Sequence, residues 1–251
     1  MSPTASLRPA LTAPRRSAAR RVVGVAGEIL ITLGVLVLLF VGYDLWFTGV
    51  YTAASQRTLK HELSQIWAAQ QTAPTSPDVG PSPSPTAAGS PSVDVIPGDA
   101  LAIIRIPRLG HNYAFAIVEG VSTADLKKGP GHYPGTAMPG QIGNFVVSGH
   151  RTTYLAPFNG LDKLRTGDAI VIETAKMWYT YRVTQSLTVL PTDVGVILPV
   201  PNHPGAKPTQ ALITLTTCTP KYSASHRLVV HGVLVAATPK SQGPPAALEG
   251  E

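Results

Sequence analysis

The sequence has one cysteine, Cys218, in 251 residues, so no disulfide can form within the chain and a disulfide-stapled fold is excluded. One cysteine and seven histidines supply no pair at ligand spacing on a predicted helix. His226 and His231 would fall on opposite faces of a strand, so no metal centre is expected. There is also no carboxylate cluster of the kind that would hold calcium. A glycine-rich phosphate loop is missing, and strands do not alternate with helices, which argues against a nucleotide-binding parallel sheet. The net charge of +6 does not signal nucleic acid: Arg8, Arg15, Arg16, Arg20 and Arg21 carry five of the six charges, and no basic patch is left in the remainder. Neither cofactor nor nucleic acid is expected.

What is present falls into segments. Residues 1–21 are Ser, Ala, Pro and Arg without apolar periodicity and read as a basic cytoplasmic tail. Residues 22–43 hold one ionisable side chain, Glu28, in a run long enough to cross the ~30 Å hydrocarbon layer. Tyr43, Trp46 and Tyr51 stand near its far end, as interfacial aromatics do, and the arginine cluster predicts the N-terminus inside and the rest of the chain outside. The apolar run is too long for a cleaved signal peptide, although Thr52-Ala53-Ala54-Ser55 weakly resembles a cleavage site. An uncleaved single-pass anchor is the favoured reading. Residues 44–71 read as a helical stalk with Leu59, Leu63, Ile66 and Trp67 on one side. Residues 72–97 are a Pro/Ser-rich linker that cannot bury enough apolar surface to fold; roughly 25 extended residues would span on the order of 75 Å.

The folded body is expected over 94–238, with a flexible tail over 239–251. Short β-branched segments separated by Gly, Pro and Asp turns predict a mainly β barrel or sandwich. They are LAIIRIP, YAFAIVEG, GNFVVSGH, DAIVIET, MWYTYRVTQSLTVL, ALITLTTC and RLVVHGVLVA. Two short helices are expected, Ser122–Lys127 and Pro157–Leu164.

Cys218 closes the strand ALITLTTC, and Arg227 opens the next strand after a short Ser/Ala/Lys loop. If the two strands pair, thiol and guanidinium face one spot. A lone cysteine is more often a small buried hydrophobe, but an unpaired thiol on an exported domain is either buried and inert or kept for its reactivity. A thiol nucleophile needs a base. His150, delivered by the strand Asn144–Val147 after Ser148-Gly149, is a candidate, and so are His226 and His231; spacing alone does not choose among the three.

Thr214-Leu215-Thr216-Thr217-Cys218 resembles the TLxTC motif of sortases, cysteine transpeptidases of Gram-positive cell surfaces. His150 and Arg227 stand where the sortase histidine and arginine do. Gly149-His150-Arg151-Thr152-Thr153-Tyr154, Cys218-Thr219-Pro220-Lys221 and the membrane run with Glu28 resemble class E, the actinobacterial housekeeping type. The resemblance implies a sortase-type closed β-barrel with short helices, behind a transmembrane helix and a disordered linker. It implies cleavage of an L-A-x-T-G or L-P-x-T-G sorting signal after Thr, with Cys218 as nucleophile, His150 as acid and base, and Arg227 on the oxyanion or the substrate carbonyls. Thr217 would add a donor to the oxyanion or the substrate Thr, Tyr154 would read the second signal position, and the loop Asp193–Pro208 would wall the groove. The implied partners are surface proteins with C-terminal sorting signals and a peptidoglycan precursor (lipid II) amine. The implied location is the cell membrane, with the catalytic domain extracellular. Two alternatives share these residues: a cysteine hydrolase on the same framework, and a non-catalytic wall-binding module with an inert Cys218.

Overall fold

A computed structural model describes residues 18–72 and 98–249 of the chain. The basic tail up to residue 17 and the Pro/Ser segment from 73 to 97 lie outside the described residues. The chain divides into two compact units, Met1–Trp46 and Phe47–Glu251.

In the first unit the described residues belong to helix α1 (Ala18–Thr72). A window of 18 residues near the N-terminus has a mean hydropathy of 2.5 and no burial, so α1 is long and apolar enough to cross a membrane. A helix suits such a run because it satisfies every interior backbone donor and acceptor within the segment.

The second unit is a closed barrel of eight strands. They are β1 (Ala100–Arg105), β2 (Ala114–Glu119), β3 (Gly131–His132), β4 (Gly143–Ser148), β5 (Ala169–Glu173), β6 (Met177–Val189), β7 (Ala211–Thr219) and β8 (His226–Pro239). Around the barrel the order is β1-β2-β3-β4-β7-β8-β6-β5, and β5 closes onto β1. The expected mainly β, sortase-type barrel is what forms. Seven strands coincide with the segments read from the sequence. The eighth, β3, has two residues and therefore no alternation to read.

Of the two expected helices, one forms as α2 (Thr123–Lys128), where Ser122 and Asp125 build a capping box. The other, expected over Pro157–Leu164, shrinks to a single 3₁₀ turn at Leu161–Lys163, after Asn159-Gly160 interrupts it. Pro239–Glu249, expected as a flexible tail, carries two further 3₁₀ turns, Lys240–Gln242 and Ala246–Leu248.

Inward-facing Ile104, Ile117, Phe145, Val147, Ile170, Ile172, Ile213, Leu215 and Val230 fill the barrel. Each such side chain contributes about 1.5–3 kcal/mol relative to exposure. Tyr181 is wholly buried among them; its hydroxyl accepts the Gly140 N–H at 2.7 Å, and burial raises its pKa.

Two polar networks interrupt the apolar packing. His132 Nδ1 meets Glu119 Oε2 at 2.6 Å while its ring stacks on Phe145. On the outer side, Thr214 Oγ1 contacts both Asn144 Oδ1 (2.7 Å) and His231 Nδ1 (2.8 Å), joining β4, β7 and β8. Asn144 Nδ2 also donates to the carbonyls of Val196 and Leu198, which ties the long β6–β7 connection to the barrel wall.

The C-terminal half of α1 packs across the outside of β2. Leu59 and Leu63 bury against Ile103, Ala116 and Val118. β2 meets β3 only at Val118 and Glu119, so its edge is open at Ala116. The Gln56 amide fills that gap as a peptide would: Oε1 accepts from Ala116 N (2.8 Å), and Nε2 donates to Ala116 O (3.0 Å) and Lys128 O (2.9 Å). Lys60 Nζ donates to Ala114 O, and Trp67 carries Lys240 Nζ over its ring at 4.2 Å.

Gln56→Leu removes these bonds and leaves buried backbone groups unpaired. The expected loss is about 1–3 kcal/mol, read as a lower denaturant midpoint for the detergent-solubilised chain.

Candidate active site

β4 and β7 run parallel, with Phe145 opposite Ile213, Val147 opposite Leu215 and Ser148 opposite Thr216. Each strand direction continues two residues further, to His150 and to Cys218, so the imidazole and the thiol lie level at one end of the barrel. β7 and β8 pair antiparallel, and Cys218 stands directly opposite Arg227. The pairing expected from the hairpin therefore forms, and β4 adds His150 to it. The other two histidines lie elsewhere. His231 stands opposite Thr214, four residues back along β7, inside the buried network described above. His226 is exposed and bonded to Ser225.

The approach of β4 to β7 is fastened by two bonds across the strand ends. Gly149 N donates to Thr216 O (3.1 Å), and Thr217 Oγ1 donates to Gly149 O (2.7 Å). Thr217 is buried, and its hydroxyl proton is committed to this carbonyl. In this structure the bond clamps the residue before His150. Glycine at 149 is a requirement of space: a Cβ there would come within 2.7 Å of the buried Phe158 ring. Phe158 N in turn donates to His150 O at 3.0 Å.

Among the described residues, His150 Nε2 is a buried nitrogen without a hydrogen-bond partner. His231 Nε2 is in the same state, so the open nitrogen bears on proton transfer at His150 only together with the register that sets His150 level with Cys218. Burial also lowers the His150 pKa below its ordinary value of 6.5. One face of the ring packs on Tyr154, with centroids 4.9 Å apart and planes at 37°. Tyr154, Leu155 and Ala156 all have left-handed backbone angles (φ 53°, 60° and 45°), which cost about 1–3 kcal/mol each in non-glycine residues.

Arg227 is half-buried, and its Nη1 donates to the carbonyls of Ala224 (3.0 Å) and His226 (3.1 Å). These bonds hold the guanidinium at its own loop and leave its other donors for a ligand. Cys218 is half-buried.

Arg151 was not singled out from the sequence beyond its place in the motif. It is 5% exposed, and its Nη2 meets Asp162 Oδ1 at 3.2 Å. Its backbone carbonyl accepts from Asn159 Nδ2, and Asn159 Oδ1 accepts from Lys221 Nζ, so the loops after β4 and β7 are stitched together. No periodicity marks a buried arginine in a loop. A cavity of about 540 Å³, lined among others by Arg105, Arg108, His111 and Arg182, includes none of His150, Cys218 and Arg227.

The chain belongs to the sortase family: residues 104–235, which reach from β1 to β8 of the closed barrel and hold His150, Cys218 and Arg227, match the Sortase domain. Its relatives include class E proteins. Sortase SrtE1 of Streptomyces coelicolor is 38% identical over 230 residues, covering 88% of this chain; the chain spans 60% of that protein's length. A crystal structure of sortase E1 from that species with a tripeptide in the active site superposes with a TM-score of 0.56 at 39% identity, covering 61% of this chain and 99% of that one. Sortase E from Streptomyces avermitilis superposes equally well, TM-score 0.56, at 44% identity over 61% of this chain and 99% of that one. The SrtF sortase of Corynebacterium diphtheriae superposes at 0.60 with 34% identity, covering 70% of this chain and 100% of that one.

Two measurements follow from burial. The His150 ring should titrate below pH 6.5 in NMR. His231, held at about 4, binds its proton more weakly folded than unfolded, so its contribution to stability is complete above pH 6.5 and is lost as pH falls toward 4. The drop in denaturant midpoint between those pH values should be smaller in His231→Gln than in the parent chain.

Proposed function

We propose that the chain is a cysteine transpeptidase that cuts a sorting signal of L-A-x-T-G or L-P-x-T-G type between Thr and Gly and joins the Thr carboxyl to a peptidoglycan amine. The observation that carries this reading is the strand register that sets Cys218 opposite Arg227 and level with the unpartnered His150.

The steps follow from the groups. The Cys218 thiol proton passes to His150, and Sγ attacks the Thr carbonyl carbon. The carbonyl oxygen takes up negative charge, for which the free Arg227 donors form a fixed cationic partner. The C–N bond to Gly breaks, and its amine takes the His150 proton; the burial that disfavours imidazolium makes it a ready donor at this step. A thioester remains. The incoming amine loses a proton to His150 and attacks the thioester, and Cys218 departs as thiolate. Clamped by Thr217 and covered by Tyr154, His150 meets both protons in one position.

Tyr154 stands beside the reacting groups, where a side chain can discriminate the second position of the signal. The connection 190–210, tied down through Asn144, supplies one wall of the groove. The apolar stretch of α1 is the membrane anchor, with the basic tail cytoplasmic and the barrel outside. Surface proteins with C-terminal sorting signals and the amine of a lipid-linked peptidoglycan precursor are then the two substrates.

The deciding experiment incubates the chain with an L-A-x-T-G peptide and excess amine and follows the products by mass spectrometry. An acyl adduct on Cys218, release of the Gly fragment and ligated product are expected, and all three vanish in Cys218→Ala. Arg227→Ala should lower kcat by about 10²–10³-fold. Adduct with hydrolysed product alone would favour the hydrolase, and absence of any adduct with either signal peptide would leave a binding module.

A further inference from the structure

The end of the barrel that carries Cys218 is also the end where α1 arrives. Thr48 is buried, and a methyl group placed on Gly49 would lie 3.9 Å from Leu155 Cδ2, in the strained loop beside His150. Thr52 Oγ1 donates to Lys127 O at 2.8 Å, and Lys127 Nζ lies 5.9 Å from the Tyr154 ring centre. From there the helix crosses β2 and reaches Lys240 through Trp67. Lys240 follows the last residue of β8, at the far end of the barrel from Arg227. The docked helix therefore enters at the catalytic rim and leaves at the opposite end.

The apolar run closes at Tyr43, five residues before Thr48. Five residues reach about 18 Å even when fully stretched. The Pro/Ser segment does not intervene, because it follows the docked helix. Thr48, at the rim, is therefore tethered within that reach of the end of the apolar run.

The rim is furnished for a membrane surface. Tyr222 is 89% exposed on the β7–β8 loop, Leu190 is 57% exposed after the end of β6, and Leu155 is 44% exposed. Lys127 lies by Tyr154, next to Leu155; Lys221 precedes Tyr222; and Arg227 stands opposite Val189, next to Leu190. Of the nearby carboxylates, Asp162 pairs with Arg151, whereas Asp193 and Asp125 accept from the neutral Gly195 N–H and Ser122 groups and keep their charge. Apolar side chains interspersed with cations are what an anionic interface binds.

We infer that the catalytic rim rests on an anionic bilayer surface, with Leu155, Leu190 and Tyr222 in the headgroup layer and Lys127 and Lys221 facing lipid phosphates. The inference rests on the reading of the apolar run as a membrane span. Substrates would then enter sideways, along the membrane plane, instead of from bulk solvent.

The test uses the full chain with Cys218→Ala in vesicles of phosphatidylcholine and phosphatidylglycerol. Single cysteines are introduced as Leu155→Cys, Tyr222→Cys and, in the β5–β6 turn at the far end, Lys176→Cys, and each is labelled with bimane. Lipids bearing a shallow doxyl quencher should cause loss of fluorescence at 155 and 222 and none at 176. Replacing phosphatidylglycerol by phosphatidylcholine should reduce that loss. Position 222, being exposed, decides the matter if Leu155→Cys does not fold. Absence of loss at 222, or loss equal to that at 176, overturns the inference while the anchor reading stands. Failure of the chain to float with the vesicles overturns the anchor reading, and the inference with it.

Discussion

The parallel contact between β4 and β7 is the constraint on which the rest depends. Parallel neighbours need a long crossover, and here β5, β6 and the connection 190–210 lie between the two strands. Their register is fixed by a buried triad, Asn144, Thr214 and His231, one residue from each of β4, β7 and β8. A slip by one residue would turn each strand's core side chains outward and leave three buried polar groups unpaired. The same register brings Ser148 beside Thr216, and so His150 beside Cys218. The network that looks structural is thus what holds the chemistry in line, from the far side of the sheet.

The surroundings of His150 carry the opposite balance. Three successive left-handed residues, an unpartnered imidazole nitrogen, and an arginine with Nε and Nη1 unpaired lie within a few residues of one another. A folded domain tolerates such a concentration only where neighbouring contacts over-determine the loop. Here they are the Phe158 N–H bond to His150, the Arg151–Asp162 pair and the Asn159–Lys221 bond. Strain and unmet polarity gather where a substrate has groups to offer them.

Much of this was legible in the chain itself. Short β-branched runs between Gly, Pro and Asp turns mark seven of the eight strands, and the short hairpin between Cys218 and Arg227 marks their pairing, since a hairpin is a local object. The apolar run was plain from length and composition. Long-range features were not legible from the residues alone. Nothing in the pattern announces that β4 will lie parallel to β7, and spacing alone leaves three histidines as partners for the thiol. β3 is too short to show a period. The stripe Leu59, Leu63, Ile66, Trp67 marked a helix face but not its partner; Leu59 and Leu63 found β2, whereas Ile66 remains exposed. Gln56, which completes that contact, is an ordinary polar residue in sequence. The bond from the Thr217 hydroxyl to Gly149 O, which joins the ends of β4 and β7, has no mark in the sequence.

Cys218 and Arg227 face each other as rungs of one ladder, so their separation is set by strand pairing and not by the turn that joins them. The turn itself is less free, because Lys221 is bonded to Asn159 and the carbonyls of Ala224 and His226 hold the guanidinium. The exposed Tyr222 side chain is bound into neither, so its exchange retunes what the mouth touches while the register of nucleophile and cation stands.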